Sequence, residues 1–199
     1  MHRIFIAINL PEKVKEKLIF HQNKIEELFI QNLTEGSGAG PIRWTKKESL
    51  HITLNFLGNV SDEELMDVLK ITKEVGERNQ PFLINLIRIC YGPPKQPPKM
   101  VWVEGEKSEE LGKLQNDLES SLAGRKILER ENRAYSPHIT LGRIKQWEFR
   151  KIETEERPQV NEEISYSFEV KSIELMESQL KRGGSEYTVL ESAPLGAGV

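Results

Sequence analysis

The tetrapeptide His-Ile-Thr-Leu occurs twice in this chain of 199 residues, at His51–Leu54 and again at His138–Leu141. The chain contains only four histidines, so half of them lie in the repeated tetrapeptide. If each copy is a β-strand, alternation of side chains places its His and Thr on one face and its Ile and Leu on the other. Two imidazoles and two hydroxyls brought to one place would suit acid–base chemistry on an anion.

A phosphodiester is the anion that best suits this set of groups. Its hydrolysis needs one group that takes a proton from water and another that protonates the departing alkoxide, and imidazole titrates near enough to neutral pH to do either. The hydroxyls of Thr53 and Thr140 would donate hydrogen bonds to the phosphate oxygens. No metal or other cofactor is expected, because two imidazoles and two hydroxyls without a carboxylate or thiolate make a poor ligand set.

Strands, helices and caps can be predicted around the first motif. A strand over Arg3–Asn9 precedes a helix that begins after Pro11, where a first helical turn tolerates proline. Ser61 and Glu64 form the pattern of a capping box and predict the start of a second helix. A further strand is expected over Phe82–Tyr91. The first motif therefore lies between two helices, in a strand that ends near a glycine.

The same order of elements recurs in the second half of the chain. The proline-rich segment Gly92–Lys99 cannot be an interior strand and predicts a connector between the halves. After it come a strand over Met100–Val103, a helix capped by Ser108 and the second motif. One strand is expected within Glu163–Glu177, and a hairpin turn at residues 182–184 should lead into a last strand at Tyr187–Leu190. Corresponding elements are separated by roughly 90 to 97 residues, which indicates a duplicated unit.

A duplicated unit of this kind most simply folds as two similar lobes related by a pseudo-twofold axis, with a central cleft between them. The expected fold class is α+β, with mostly antiparallel sheets and flanking helices. We expect one domain over residues 1–190, with lobe-forming repeats at roughly 1–91 and 100–190. Residues 191–199 are expected to form a loose tail.

The composition excludes several classes of function. The formal net charge is −3, so any polyanion would have to be bound by a local positive patch. Cys90 is the one cysteine, which excludes an internal disulfide, and its apolar neighbours predict an inert, buried thiol. No apolar stretch approaches the ~20 residues that span a membrane, and no signal-peptide core is present, so a cytoplasmic location is expected. His2 and His21 lack any motif partner and are interpreted as incidental.

The segments around both motifs resemble those of the 2H phosphoesterases, a family named for two His-x-Thr-x motifs. The resemblance is closer to the RNA 2′,3′-cyclic phosphodiesterases, also called 2′-5′ RNA ligases, and it is collinear over about residues 1–190. The segments that carry it are Arg3–Asn9, Ile42–Trp44, Leu50–Gly58, Val101–Val103, Ser136–Arg143 and Glu174–Ser178, together with Tyr187.

This resemblance implies an enzyme that hydrolyses RNA 2′,3′-cyclic phosphate ends, such as those of tRNA halves, to 2′-phosphate ends. It implies a monomer that needs no metal and that also joins RNA ends weakly through 2′-5′ bonds. The family assigns the first motif's histidine, His51, as the general acid on the 3′-oxygen. It assigns the second motif's histidine, His138, as the general base on water.

Several basic residues near the motifs are candidates for contacts with phosphate or RNA. Arg143 follows the second motif at the spacing seen in the family, and Arg133 precedes the same motif. Either could equally pair with a surface acid. Arg43, Lys46 and Lys47 precede the first motif and could form the local positive rim that a net-acidic protein needs, or only a solvated loop.

Two aromatic residues and one lysine complete the candidates for substrate binding. Tyr135 or Trp44 could stack on a base of the RNA, or could simply pack against the core. Lys99 stands where family members often have an arginine, so a point charge there replaces a bidentate fork. The connector Tyr91–Lys99 also lacks the family's usual Gly-Phe-Pro pattern, which leaves the shape of the substrate rim open.

Two alternative functions remain open at this point. The same site could act on a different substrate, as a 3′-5′ exonuclease on oligouridine or as a phosphodiesterase on small cyclic nucleotides. The chain could instead be a nucleotide- or RNA-binding module that recognises cyclic-phosphate ends without turnover. The intact His and Thr of both motifs argue against the module, because binding alone does not need two titrating groups.

Overall fold

The computed structural model describes residues 1–31, 40–94, 97–129, 135–181 and 184–196. In these ranges the strands and α-helices are β1 His2–Asn9, α1 Glu12–Gln31, β2 Ile42–Trp44, β3 His51–Val60, α2 Asp62–Arg78, β4 Phe82–Gly92, β5 Met100–Gly105, α3 Glu109–Gly124, β6 His138–Ile144, α4 Gln146–Arg150, β7 Asn161–Val170, β8 Ser172–Lys181 and β9 Gly184–Pro194. Short 3₁₀ turns lie at Lys47–Ser49 and Thr154–Glu156.

The strands form two sheets in which all the observed pairs are antiparallel. The strand order is β3-β1-β8-β9 in the first sheet, called sheet A, and β2-β6-β5-β4-β7 in the second, called sheet B. Helix α2 packs against β8, β9 and α3, whereas α3 also contacts β3 and β4. The predicted α+β class with antiparallel sheets and flanking helices is confirmed.

Each sheet contains strands from both halves of the chain, which corrects the prediction that residues 1–91 and 100–190 each build one lobe. Strands β1 and β3 are joined in sheet A by β8 and β9, and strands β5 and β6 are joined in sheet B by β4. A short connector is enough for β4 to pair antiparallel with β5. Because β4 then lies in sheet B, it does not pair with β1, and the edge of β1 opposite β3 pairs with β8 instead.

The local start signals of the helices are confirmed. Ser61 and Glu64 form a full capping box at α2, in which the Ser61 hydroxyl accepts from the Glu64 N–H and the Glu64 carboxylate accepts from the Ser61 N–H. The Ser108 hydroxyl accepts from the Leu111 N–H at 3.1 Å at the start of α3. Helix α1 begins directly after Pro11, as its spacing predicts.

The carboxyl-terminal part of the chain is more ordered than its sequence suggests. Residues 163–177 contain parts of two strands, β7 and β8, where one was expected. The prediction of a loose tail from residue 191 is wrong through Gly196, because β9 continues to Pro194 and the side chains of Ala193 and Leu195 are buried. Residues 197–199 lie outside the described ranges, as do residues 182–183 of the predicted hairpin turn.

No helix within the described part of the chain combines the length and the apolar character needed to cross a membrane.

Candidate active site

The two His-Ile-Thr-Leu motifs begin strands β3 and β6, which lie in different sheets. The structure nevertheless brings them to one cleft, whose lining includes His51, Thr53, His138 and Thr140. In each motif the intervening Ile and the final Leu are buried in the core. Alternation along the strand therefore divides each motif as the sequence predicts, with the polar pair in the cleft and the apolar pair beneath it.

The two imidazoles are held by equivalent hydrogen bonds, each from Nδ1 to a backbone carbonyl. The Nδ1–H of His51 donates to the carbonyl oxygen of Ser49 at 2.8 Å, and the Nδ1–H of His138 donates to the carbonyl oxygen of Ser136 at 3.0 Å. A carbonyl oxygen can only accept, so this bond fixes the proton of the neutral ring on Nδ1. The Nε2 of His51 lies 3.0 Å from the hydroxyl of Thr53, which donates to it when the ring is neutral. In both rings Nε2 is therefore the nitrogen that can exchange a proton with a ligand.

A β-bulge in each motif strand turns a third side chain toward the cleft. The pairing of β3 with β1 skips Leu54, and the pairing of β6 with β5 skips Leu141. The extra residue reverses the alternation, so Phe56 and Arg143, each five residues after its histidine, line the cleft together with the motif residues. Without the bulge both side chains would lie on the opposite face of their strand.

Each imidazole also packs against aromatic side chains from other strands of its sheet. The ring centroid of Phe5 lies 4.9 Å from that of His51, and the Tyr187 ring meets His51 edge-on at 5.2 Å. The Trp102 ring lies 4.6 Å from that of His138. These contacts add to the Nδ1 hydrogen bonds in limiting the rotation of both rings.

The Trp102 ring is itself held from behind, by the backbone of Gly92 and by Cys90. Its Nε1–H donates to the Cys90 thiol at 3.2 Å. Cys90 is buried, as predicted, and burial raises the pKa of its thiol. A Cβ atom at Gly92 would lie 2.2 Å from atoms of the indole ring, so only glycine fits there.

Replacement of Gly92 by alanine is therefore expected to destabilise the protein. We expect G92A to lower the free energy of unfolding by about 1–3 kcal/mol, the usual cost of overpacking a core, because Trp102 must move. Chemical denaturation followed by circular dichroism measures this change. Gly112 in α3 provides the control, since its added Cβ would meet nothing within 4 Å and alanine favours the helix. If G92A were as stable as the wild type, the close packing of Trp102 would be wrong.

Two features determine the electrostatics of the cleft: the lowered pKa of His51 and the charges of two arginines. Burial lowers the pKa of His51, and the positive charges of protonated His138 and of Lys15 act in the same direction. Arg3 and Arg143 enter the cleft from different sheets. Neither guanidinium forms an ion pair with another residue that the structure describes, so both are available to an anion. Arg3 lies over the Phe56 ring, 5.3 Å from its centroid.

Comparison with known proteins identifies the family. Residues 24–182 match the model of the 2′-5′ RNA ligase superfamily. The chain belongs to this superfamily. The resemblance drawn from the two motifs is thereby confirmed.

Two relatives and two solved structures cover almost the whole chain. Proteins named RNA 2′,3′-cyclic phosphodiesterase from Methanocaldococcus jannaschii and Thermus thermophilus are 29% and 30% identical to it, over 95% and 97% of this chain and 98% and 90% of theirs. A crystal structure of a Thermus thermophilus protein superimposes with a TM-score of 0.77 at 27% identity. Escherichia coli LigT complexed with 3′-AMP superimposes with a TM-score of 0.71 at 25% identity, and each match covers 98% of both chains.

The residues predicted to bind substrate in this superfamily member do not all line the same cleft. Arg143 lines the cleft, and Arg43 and Trp44 line a groove that opens beside it. Arg133 lies outside the described residues, so its prediction stays untested.

Tyr135 and Lys99 are not among the residues that line the cleft or that groove, and their roles as substrate contacts stay predictions. The ring of Tyr135 packs against the core, and its hydroxyl donates to the carbonyl of Thr53 at 2.9 Å. Burial raises the pKa of this hydroxyl well above its usual range. Lys99 is exposed, and its carbonyl accepts from the Ile144 N–H at 2.9 Å, which extends the pairing of β5 with β6 by one residue.

Sequence reasoning missed several residues that line the cleft, namely Arg3, Phe5, Phe56 and the side chains contributed by β8 and β9. Alternation along the predicted first strand could have placed Arg3 and Phe5 on one face. Phe56 depends on a bulge, and Tyr187 depends on the exchange of β8 and β9 into sheet A. Within the described ranges, no three His, Cys, Asp or Glu side chains are grouped so that they could hold a metal ion.

Proposed function

We propose that this protein hydrolyses the 2′,3′-cyclic phosphate at an RNA end to a 2′-phosphate, with His51 and His138 as general acid and general base. The observation that carries the proposal is the common geometry of two imidazoles in one cleft, each bonded through Nδ1 to a backbone carbonyl. The names of the Methanocaldococcus jannaschii and Thermus thermophilus relatives support the reaction, and the 3′-AMP bound by LigT supports a nucleotide in the cleft.

The proposed reaction moves one proton at each imidazole. Neutral His138 accepts a proton from water at Nε2 while the water oxygen attacks phosphorus. The bond between phosphorus and the 3′-oxygen breaks, and protonated His51 donates its Nε2 proton to that oxygen. The products are a 2′-phosphate and a 3′-hydroxyl. Exchange of protons with solvent then restores neutral His138 and protonated His51.

The two threonines are proposed to bind the non-bridging oxygens of the phosphate. When His51 is protonated, its Nε2–H is directed at the 3′-oxygen and Nε2 no longer accepts from Thr53, so the Thr53 hydroxyl proton becomes available for the phosphate. The Thr140 hydroxyl donates to the sulfur of Met100 at 3.7 Å, a weak acceptor that a phosphate oxygen readily replaces. Each bond that strengthens in the transition state contributes about 2.7–4 kcal/mol, by comparison with other oxyanion donors.

The remaining residues of the cleft fit an RNA end. Arg3 and Arg143 supply positive charge from both sheets to balance the phosphodiester anion. Phe56 lines the cleft, is 51% exposed and offers a flat surface on which a terminal base can stack. This arrangement favours a nucleotide substrate over a simple phosphate ester.

Weak ligation is part of the same proposal. If the 5′-hydroxyl of a second RNA replaces water as the attacking group, breaking the same bond to the 3′-oxygen leaves a 2′-5′ linkage. We also propose that the enzyme acts as a cytoplasmic monomer on ends such as those of tRNA halves.

The proposed function is tested by incubating the protein, in the presence of EDTA, with an oligoribonucleotide that ends in a 2′,3′-cyclic phosphate. Mass spectrometry and nuclear magnetic resonance then identify the product. We expect a 2′-monophosphate on an RNA of unchanged length. Progressive shortening would instead indicate a 3′-5′ exonuclease, and unchanged substrate with retained binding would indicate a binding module. Loss of activity on chelation would contradict the metal-free mechanism.

A further inference from the structure

A second groove opens from the cleft along strand β2. It shares Arg143 and Tyr187 with the cleft and continues past Thr45 to residues that the cleft does not contain. The residues that distinguish this groove, called the β2 groove, are Arg43, Trp44, Lys46 and Leu180.

The β2 groove gathers positive charge. The pKa of Glu186 is lowered by Lys181 and, more weakly, by the charge of Lys46, but Glu186 forms its ion pair with Lys181. Arg43, Lys46 and Arg143 form no ion pair with any other described residue. Arg43 and Arg143 also lie directly opposite each other in the pairing of β2 with β6, an arrangement of like charges that destabilises a sheet. The neighbouring Lys47 shows the ordinary alternative, since its ammonium group contacts Glu12 at 3.0 Å and Glu16 at 3.3 Å. The opposed arginines indicate a site for an anion.

The groove also carries apolar surface beside these charges. Leu180, near the end of β8, is 73% exposed, and the Trp44 ring is half-buried. Grooves that bind single-stranded nucleic acid combine cations along the backbone with aromatic side chains on which bases stack. Trp44 is such an aromatic side chain, and Leu180 adds apolar surface beside it. A lone inorganic anion would need only the charges.

We propose that the β2 groove binds the RNA strand on the 5′ side of the terminal nucleotide. Arg43 and Lys46 contact the preceding phosphates, and Leu180 covers a preceding base. Arg143, at the junction, lies between the reacting phosphate and the next one. This inference rests on the proposed function and adds a preference for an oligoribonucleotide over a nucleoside 2′,3′-cyclic monophosphate.

The test compares two substrates that have the same 3′ end. Hydrolysis of adenosine 2′,3′-cyclic monophosphate and of a hexaribonucleotide ending in the same group is measured with the wild type and with R43Q/K46Q. We expect kcat/KM for the hexamer to fall at least about tenfold at low salt and that for the mononucleotide to stay unchanged. Each phosphate contact with a single strand contributes about 0.7 to the slope of log affinity against log salt. R43Q/K46Q removes two such contacts, so its salt slope for the hexamer should be weaker than that of the wild type by about 1.4.

The double variant K70Q/K113Q is the matched control, because it removes the same charge from helices α2 and α3 and touches neither groove nor cleft. It should leave both rates and the salt slope as in the wild type. The inference is overturned if R43Q/K46Q lowers both rates equally, if it lowers neither, or if the wild type prefers the mononucleotide.

Failure of the proposed function gives a different result, in which the wild type hydrolyses neither substrate. Fluorescence anisotropy with a labelled hexamer then tests the groove by itself. Weaker binding by R43Q/K46Q than by K70Q/K113Q would support the groove, and equal binding would overturn it.

Discussion

Replacement of either cleft histidine by alanine should lower kcat for an RNA 2′,3′-cyclic phosphate by at least ~10²-fold. His51→Ala removes the group proposed to protonate the 3′-oxygen, and His138→Ala removes the group proposed to deprotonate water. The hydrogen bonds from Nδ1 hold both rings in place, so each substitution mainly removes a proton-transfer group. Single-turnover rates, with circular dichroism to check folding, measure the effect.

His2 provides the matched control for these variants. Its ring contacts Glu177 at 2.7 Å and Asp62 at 3.2 Å, and it is not part of the cleft lining. His2→Ala is therefore expected to keep kcat near that of the wild type. If either cleft variant retained near-wild-type turnover while folded, the two-histidine mechanism would be wrong.

The two alanine variants should differ sharply on a substrate whose leaving group needs no proton. In a cyclic phosphate with sulfur in place of the 3′-oxygen, the leaving thiolate is a much weaker base than an alkoxide, so it can leave without a general acid. We expect His51→Ala to act on this thio substrate within about tenfold of the wild-type rate. His138→Ala should remain slower by at least ~10²-fold, because water still needs a base.

This comparison decides which histidine gives the proton. Burial lowers the pKa of His51, which favours the neutral ring and by itself would suit a base. A bound phosphodiester acts in the opposite direction, because a negative charge beside an imidazole favours its protonated form. If the thio substrate restored His138→Ala and not His51→Ala, the two roles would have to be exchanged.

The core of the site could be predicted because its signals are local and duplicated. Alternation within four residues is enough to place His51 with Thr53 and His138 with Thr140, and the repetition indicates that both pairs serve one cleft. The capping box at Ser61 could be predicted for the same reason, since its partners lie three residues apart.

Features that depend on pairing between distant strands could not be predicted. The bulges at Leu54 and Leu141 exist only against β1 and β5, so the sequence does not show that Phe56 and Arg143 turn toward the cleft. The exchange of β8 into sheet A likewise follows from which strand edge is left after β4 pairs with β5. Tyr187 reaches His51 only through that exchange.

The chemical type of a residue does not determine whether its side chain reaches the cleft. Tyr135 has a ring that could stack on a base, but its hydroxyl is bonded to the carbonyl of Thr53 and its ring packs against the core. Alternation within the first strand could place Arg3 on the face of Phe5, but only the fold brings it to the same cleft as Arg143. Residue type shows which side chains could bind a substrate, and tertiary packing determines which of them reach the cleft.

The most direct test of the two-histidine mechanism is the pH dependence of kcat/KM, measured in EDTA for the wild type and both alanine variants. A base must be neutral, so its titration gives the acidic limb of the profile, and an acid must be protonated, so its titration gives the alkaline limb. The wild type should be bell-shaped, with apparent pKa values that belong to the pair and, because burial lowers the pKa of His51, an optimum on the acidic side of neutrality.

We expect His138→Ala to lose the acidic limb and His51→Ala to lose the alkaline limb. Exchanged limbs would reverse the two roles while keeping the mechanism. A profile that stays bell-shaped in both variants would contradict catalysis by the two imidazoles.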